Sequence, residues 1–188
     1  MHDLSLYALE LLENSVRAGA TQVRTRVVVD RDRDRLTIAI DDDGPGVPAD
    51  GARPTDPFFT TKPGKKTGLG LSLFAEAAEA GGGSLRLARS EDLGGAAVLV
   101  DLGLSHVDRP PLGDLVSTVV VMAATNPGVS FTLEVVGGGE RCALAATDLM
   151  RRSPETERLT ALLAGCDAPT PTPDSESTVD SAKARSVG

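Results

Sequence analysis

The stretch IAIDDDGPGVP, residues 38–48, decides how the rest of the chain is read. Leu36, Ile38 and Ile40 alternate with other residues, so 35–42 reads as a strand with one face against a core. Side chains on a strand repeat every two residues. Asp42 therefore points the same way as Ile38 and Ile40, while Asp41 and Asp43 point out. An inward carboxylate at a strand end is costly unless donors reach it. The exocyclic amine of adenine would be such a donor. Gly44 and Gly46 let the backbone turn sharply and approach a flat ligand closely. The plainer reading of the same residues is a turn that ends a strand.

Toward the N-terminus, residues 22–29 alternate as Val23, Thr25, Val27 and Val29 and predict a second half-buried strand. The run DRDRDR between the two strands reads as a charged, solvated hairpin connection. Residues 3–18 predict a helix. Asp3 caps it, Leu4, Ala8, Leu11, Leu12 and Ser15 recur at helical spacing, and Gly19 stops it. Glu10, Glu13, Asn14 and Arg17 share the opposite stripe. Leu6 and Tyr7 also fall on the polar side and are candidates for an interface.

Toward the C-terminus, residues 50–67 read as a long loop around DPFFTTK. A helix over 68–80 opens with TGLGL and closes at Gly81, Gly82 and Gly83. Strands follow at 84–90 and 96–103, joined by a Gly94-Gly95 turn. The order helix, strand, strand, loop, helix, strand, strand predicts an α+β, two-layer sandwich. Its sheet is antiparallel or mixed, with helices on one face.

A second section begins near Ser105. SHVDRPPLGD is a connector, 112–125 a helix, and Val129, Phe131, Leu133 and Val135 alternate as a strand. The chain returns as a strand over 140–147, and a short helix runs from Pro154 to Ala164. From Gly165 onward Pro, Thr, Ser and Asp dominate, and such a tail cannot offset its ordering entropy. The expected organisation is 1–104 as one domain, 105–164 as a small α/β extension, and 165–188 as a disordered tail.

Composition narrows the function. The chain has 188 residues, 19 basic against 27 acidic, a net charge of −8 and only 3% aromatics. That balance argues against nucleic acid as a partner. The two cysteines cannot form a disulfide scaffold, and the two histidines argue against a multi-His metal site. No apolar run nears the roughly 18 residues of a membrane span. The N-terminus lacks a signal-peptide pattern. The expected setting is cytoplasmic, with no membrane contact.

Three more segments carry chemistry beside IAIDDDGPGVP. Glu10 and Asn14 are four apart and so neighbours on one helix face. They read either as a solvated face or as a site where Asn14 gives a neutral oxygen to Mg²⁺, an ion that prefers oxygen ligands. DPFFTTKPGKK places Phe58 and Phe59 in a Gly/Pro/Lys loop of a chain poor in aromatics. One of them should anchor that loop while Lys62, Lys65 and Lys66 reach phosphates, or the loop is merely solvated and basic. Thr67-Gly68-Leu69-Gly70 at a helix start exposes backbone N–H groups to an anion, or is simply a cap. Taken together, an adenine aspartate, a magnesium asparagine, a lysine-bearing lid and a phosphate-binding helix start compose one ATP site.

These four segments resemble the N, G1, F and G2 boxes of the superfamily containing gyrase, the heat-shock chaperones, histidine kinases and mismatch-repair ATPases. The resemblance covers residues 3–104 and implies a Bergerat fold. It implies Asn14 as Mg²⁺ ligand, Asp42 as the partner of the adenine amino group, Gly44 and Gly46 as the adenine floor, Lys62 in the lid, and Gly68 and Gly70 at the phosphates. The segment from DDDGPG to GLGL is similar to histidine kinases. LLENS followed by AGAT is equally similar to mismatch-repair ATPases, in which the residue matching Glu10 activates the hydrolytic water. With its second section, the chain resembles small stand-alone histidine-kinase-like ATPases of bacteria that lack sensor and phosphoacceptor domains.

Only two residues precede Asp3, so the sequence predicts no dimerising phosphoacceptor helix of its own. Three activities then compete. The first is a kinase that transfers the γ-phosphoryl group to His or Ser of a partner protein in signal transduction. The second is phosphorylation of the chain itself at His106. SHVDRPPL resembles a phosphoacceptor box, though Val107 stands where that box carries an acid. The third is an ATP-driven switch with Glu10 as general base, or a module that only binds ATP. Residues 105–164 would dock a partner or the second copy of a homodimer. Cys142 and Cys166 are expected to be inert.

Overall fold

Alternating apolar residues pair two strands at the centre of the molecule. The structure, a computed structural model, describes residues 3–46, 69–151 and 153–167. The chain runs α1 (Leu4–Arg17), β1 (Gln22–Asp30), β2 (Arg35–Asp42), α2 (Leu69–Ala80), β3 (Ser84–Arg89) and β4 (Ala96–Gly103). It continues with α3 (Leu115–Thr125), β5 (Ser130–Gly137), β6 (Glu140–Ala145), α4 (Ala146–Leu149) and α5 (Pro154–Ala164). In the β1–β2 pair Thr25 lies opposite Ile40, Val27 opposite Ile38 and Val29 opposite Leu36, and all six are buried.

The strands form one sheet in the order β3-β4-β2-β1-β5-β6. All neighbours are antiparallel except β1 and β5, which run parallel, so the sheet is mixed. Leu12 of α1, Phe74 of α2, Val119 of α3 and Leu159 of α5 share a core with Val27, Ile38, Val100 and Leu133. The architecture is the expected α+β sandwich with helices on one face. Residues after 104 continue the same sheet and the same core, because β5 lies directly against β1.

The other face of the sheet carries a chain of charges. Arg24 pairs with Asp41 and Asp92, Arg26 with Asp92 and Glu134, and Arg141 with Glu134. Asp41 does point away from the helices, but Arg24 covers it and it is buried.

The connector after β4 is built into the fold. The N–H groups at a helix start have no partner within the helix. Those of Leu4 and Ser5 in α1 are taken by the carbonyls of Pro111 and Leu112, each at 2.9 Å. The Asp3 carboxylate takes the N–H of Leu6. Gly113, at φ +73, leaves room for Asp3, whose Cγ would lie 2.4 Å from a Cβ there. With Leu112 and Gly113 held in this way, α3 starts at Leu115 rather than at 112, capped by Asp114.

Two further boundaries differ from expectation. The last strand ends at Ala145, and Ala146–Leu149 turns into a short helix that buries Ala146 and Leu149. The residues just after α5 are ordered. Cys166 is buried, and Asp167 accepts from Arg109 and from the N–H of Leu112. The rest of the tail, from 168, lies outside the described residues. The DRDRDR hairpin is likewise more than a solvated turn. Asp34 accepts from both the N–H and the hydroxyl of Ser105, and Arg31 donates to the carbonyl of Gly165.

Candidate functional site

The site is built around the end of β2. Asp42 faces the helices, as the parity of the strand requires, and is buried. Its Oδ2 accepts from the Ser15 hydroxyl at 2.6 Å. Its Oδ1 accepts from the N–H of Gly44 at 3.0 Å and of Ala96 at 2.9 Å. The chain supplies three donors of its own, and these satisfy the desolvation requirement.

Glycine governs how closely the neighbouring backbone comes. The N–H of Gly95, in the β3–β4 turn, donates to the carbonyl of Asp42 at 3.0 Å. A Cβ on Gly95 would lie 2.4 Å from Asp42 Oδ1 and 2.5 Å from the nitrogen of Gly44. Gly46 adopts φ +79, a conformation that favours glycine, and sits against Gly95. Gly44 and Gly46 thus follow Asp42 without placing any side chain over it.

Asp43 holds the neighbouring loop. It accepts from the N–H and hydroxyl of Thr21 and from the N–H of Gln22. The Thr21 hydroxyl above all, with the Gln22 N–H, holds its carboxyl below the ordinary carboxylate range.

The helix that pins Asp42 also presents Glu10 and Asn14. Both are exposed on one stripe of α1, while Ser15 turns inward. Gly70, in the first turn of α2, lies against Glu10. A Cβ there would be 3.1 Å from Glu10 Oε2. Packing of Tyr7 on Phe74, with ring centroids 5.0 Å apart, joins the two helices below this point. Tyr7 thus belongs to the α1–α2 contact, whereas Leu6 is exposed. Asn14 Oδ1 accepts from the Arg17 guanidinium at 2.5 Å. Arg17 occupies one lone pair of that oxygen, so a cation must share it or displace the guanidinium. An amide oxygen beside a carboxylate is the oxygen-only ligand set that Mg²⁺ takes together with phosphates and water, so these residues fit that ion.

The structure brings Glu10, Asn14, Asp42, Gly44, Gly46 and Gly70 to one end of the sheet, with Leu69 opening α2 beside them. Phe58, Phe59, Lys62, Lys65, Lys66, Thr67 and Gly68 lie outside the described residues. Sequence reasoning missed Ser15, Gly95 and Ala96. The Gly94-Gly95 turn was visible as a turn. Only the register that sets Asp41 against Ala97 brings it to Asp42.

His106 stands elsewhere. It packs on Gly103 at the far end of β4 from Ala96, about 23 Å along the strand at 3.3 Å per residue. It also abuts Gly82, beyond the end of α2 opposite Gly70. Its Nδ1 accepts the N–H of Asp108 at 3.2 Å. One copy of the chain does not bring His106 to Asp42 or Asn14.

Among the described residues no helix is long and apolar enough to cross a membrane. The family model for "Histidine kinase-, DNA gyrase B-, and HSP90-like ATPase" matches residues 2–106. The sensor protein ChvG of Agrobacterium fabrum is 37% identical over 95 residues, which are 45% of this chain and 16% of ChvG. The sensor protein kinase PilS of Pseudomonas aeruginosa is 36% identical over 100 residues, 50% of this chain and 19% of PilS. The chain thus spans less than a fifth of the length of these relatives. A crystal structure of the N-terminal domain of a DNA repair protein aligns with 88% of this chain and 58% of its own, at 18% identity and a TM-score of 0.47. With the family model covering more than half of its residues, the chain belongs to the histidine kinase-, DNA gyrase B- and HSP90-like ATPases.

Proposed function

We propose that the chain binds MgATP between α1, the end of β2 and the start of α2, and passes the γ-phosphoryl group to a partner protein. One observation carries the reading. A single end of the sheet gathers Asp42, held by Ser15 and two backbone N–H groups, with Asn14, Glu10 and the first turn of α2. Asp42 receives the base, and Gly44 and Gly46 let it lie flat. The start of α2 faces the phosphates, where the N–H groups of a helix's first turn suit an anion. Magnesium bound by Asn14 and the phosphates would screen the charge on the transferred group. A nucleophile on the partner forms a bond to the γ-phosphorus as the β–γ bridging oxygen leaves with ADP. Catalysis of this kind is mostly positioning. The likeness to two sensor proteins, one of them named a kinase, supports transfer over hydrolysis.

Glu10 favours a second reading. Its carboxylate touches the first turn of α2, where it could take a proton from water attacking the same phosphorus. Transfer to His106 of the same copy is disfavoured by the length of β4 and α2 that separates it from the site.

Titration calorimetry tests the site. Asn14→Ala and Asp42→Asn should each abolish MgATP binding with the fold intact, and undiminished affinity in either rejects the assignment. The fate of γ-labelled phosphate separates the activities. Free phosphate lost in Glu10→Ala indicates hydrolysis. Self-label lost in His106→Ala indicates transfer between copies. Tight binding with neither signal indicates transfer to another protein.

A further inference from the structure

A carboxylate accepts at about four positions, two on each oxygen. On Asp42 the N–H groups of Gly44 and Ala96 fill both positions of Oδ1, and the Ser15 hydroxyl fills one of Oδ2. Ser15 has a single O–H to give, and both side chains are buried. Among the described residues no other donor reaches Asp42, which leaves one acceptor position on Oδ2. The three donors come from three elements: α1, the turn after β2, and the start of β4. Two are backbone groups, so Ser15 is the one side chain among them.

We propose that Ser15 is a positioning residue for base recognition. By taking one side of Asp42 Oδ2 it leaves the other side for a single N–H donor and keeps the carboxylate from turning. Nucleotides with an amino group on the base are then preferred over otherwise equal ones without it. The inference rests on the reading that Asp42 receives the base. Without Ser15, a buried oxygen is left with two open positions. The Asp side chain rotates readily about its last torsion, so the aim of the remaining lone pair is lost.

The test compares wild type and Ser15→Ala by calorimetry, with Mg²⁺ and two probes. These are ADP and purine riboside 5′-diphosphate, which lacks only the amino group. Wild type should prefer ADP by about tenfold or more, the usual effect of one well-made hydrogen bond to a charged group. Ser15→Ala should bind purine riboside diphosphate as wild type does and lose most of that preference. A Ser15→Ala protein that keeps the full preference overturns the role of Ser15 and leaves Asp42 in place. Equal weakening for both probes makes Ser15 merely structural and also overturns it. If wild type itself fails to distinguish the probes, the base-binding role of Asp42 falls, and this inference with it.

Discussion

Arg109 donates to the carbonyl oxygen of Cys166 at 3.0 Å, tying the connector after β4 to the residue beyond α5. The same guanidinium donates to the carbonyls of Leu104 and Pro110 and pairs with Asp167. Its side chain is 9% exposed, so solvent has little access to replace these bonds. Arg109→Ala should lower stability by about 2 kcal/mol, the scale expected when buried acceptors lose a charged donor. Urea denaturation followed by circular dichroism measures it, and an unchanged midpoint would mean that water fills the gap without cost.

A polypeptide that stops at residue 104 should fail to unfold cooperatively. It lacks the carbonyls of Pro111 and Leu112 that close α1, and it lacks β5, which covers one side of β1. It also loses Leu112, Leu115, Val119 and Leu133 from the core. Each such side chain contributes about 2 kcal/mol when buried. A sharp urea transition at the full-length midpoint would contradict this.

Gly95→Ala should damage both the site and the fold. The new Cβ would sit 2.4 Å from Asp42 Oδ1, against atoms that cannot move without breaking the Ala96 bond. We expect a loss of about 2 kcal/mol in stability, the scale of overpacking, together with lost ATP affinity. Gly128→Ala is the control, because nothing lies within 4 Å of its Cβ position. Thermal unfolding and calorimetry on both variants give the comparison, and equal behaviour would discount the close approach.

Alkali should weaken the fold through Cys166. Burial first, and then the charge of Asp167, pushes its thiol up to about 11 from the ordinary 9.0. The folded thiol thus keeps its proton where the unfolded one has lost it. That contribution is whole below pH 9 and is lost as pH rises toward 11. Stability should fall by about 2 kcal/mol across that window through this group alone. In Cys166→Ala the fall should be smaller by that amount, and identical pH slopes would remove Cys166 from the account.

Much of the fold could be read from local pattern. Alternation set β1 and β2, the Asp3 cap and Gly19 bounded α1, and glycine clusters bounded α2. Parity placed Asp42 on the helix side. What escaped depends on contacts distant in sequence. The parallel pairing of β1 with β5 joins residues about a hundred positions apart, and alternation within a strand says nothing of its neighbour. The cover over Asp41 comes from Arg24 on another strand. Two of the three donors to Asp42 come from residues 27 positions before it and 54 after it. A strand-to-helix change at Ala146 has no glycine or proline to announce it.

The closure of α1 by Pro111 and Leu112 also bears on how the chain is made. The helix that bears Glu10, Asn14 and Ser15 leaves the ribosome before all six strands of the sheet. The carbonyls that complete its first turn follow more than a hundred residues later, on the order of 10 s at typical rates of synthesis. Through that interval the apolar stripe of the nascent helix has no finished surface to rest on, and it is open to chaperones. A nascent chain thus gains this helix in final form only once its second half has emerged.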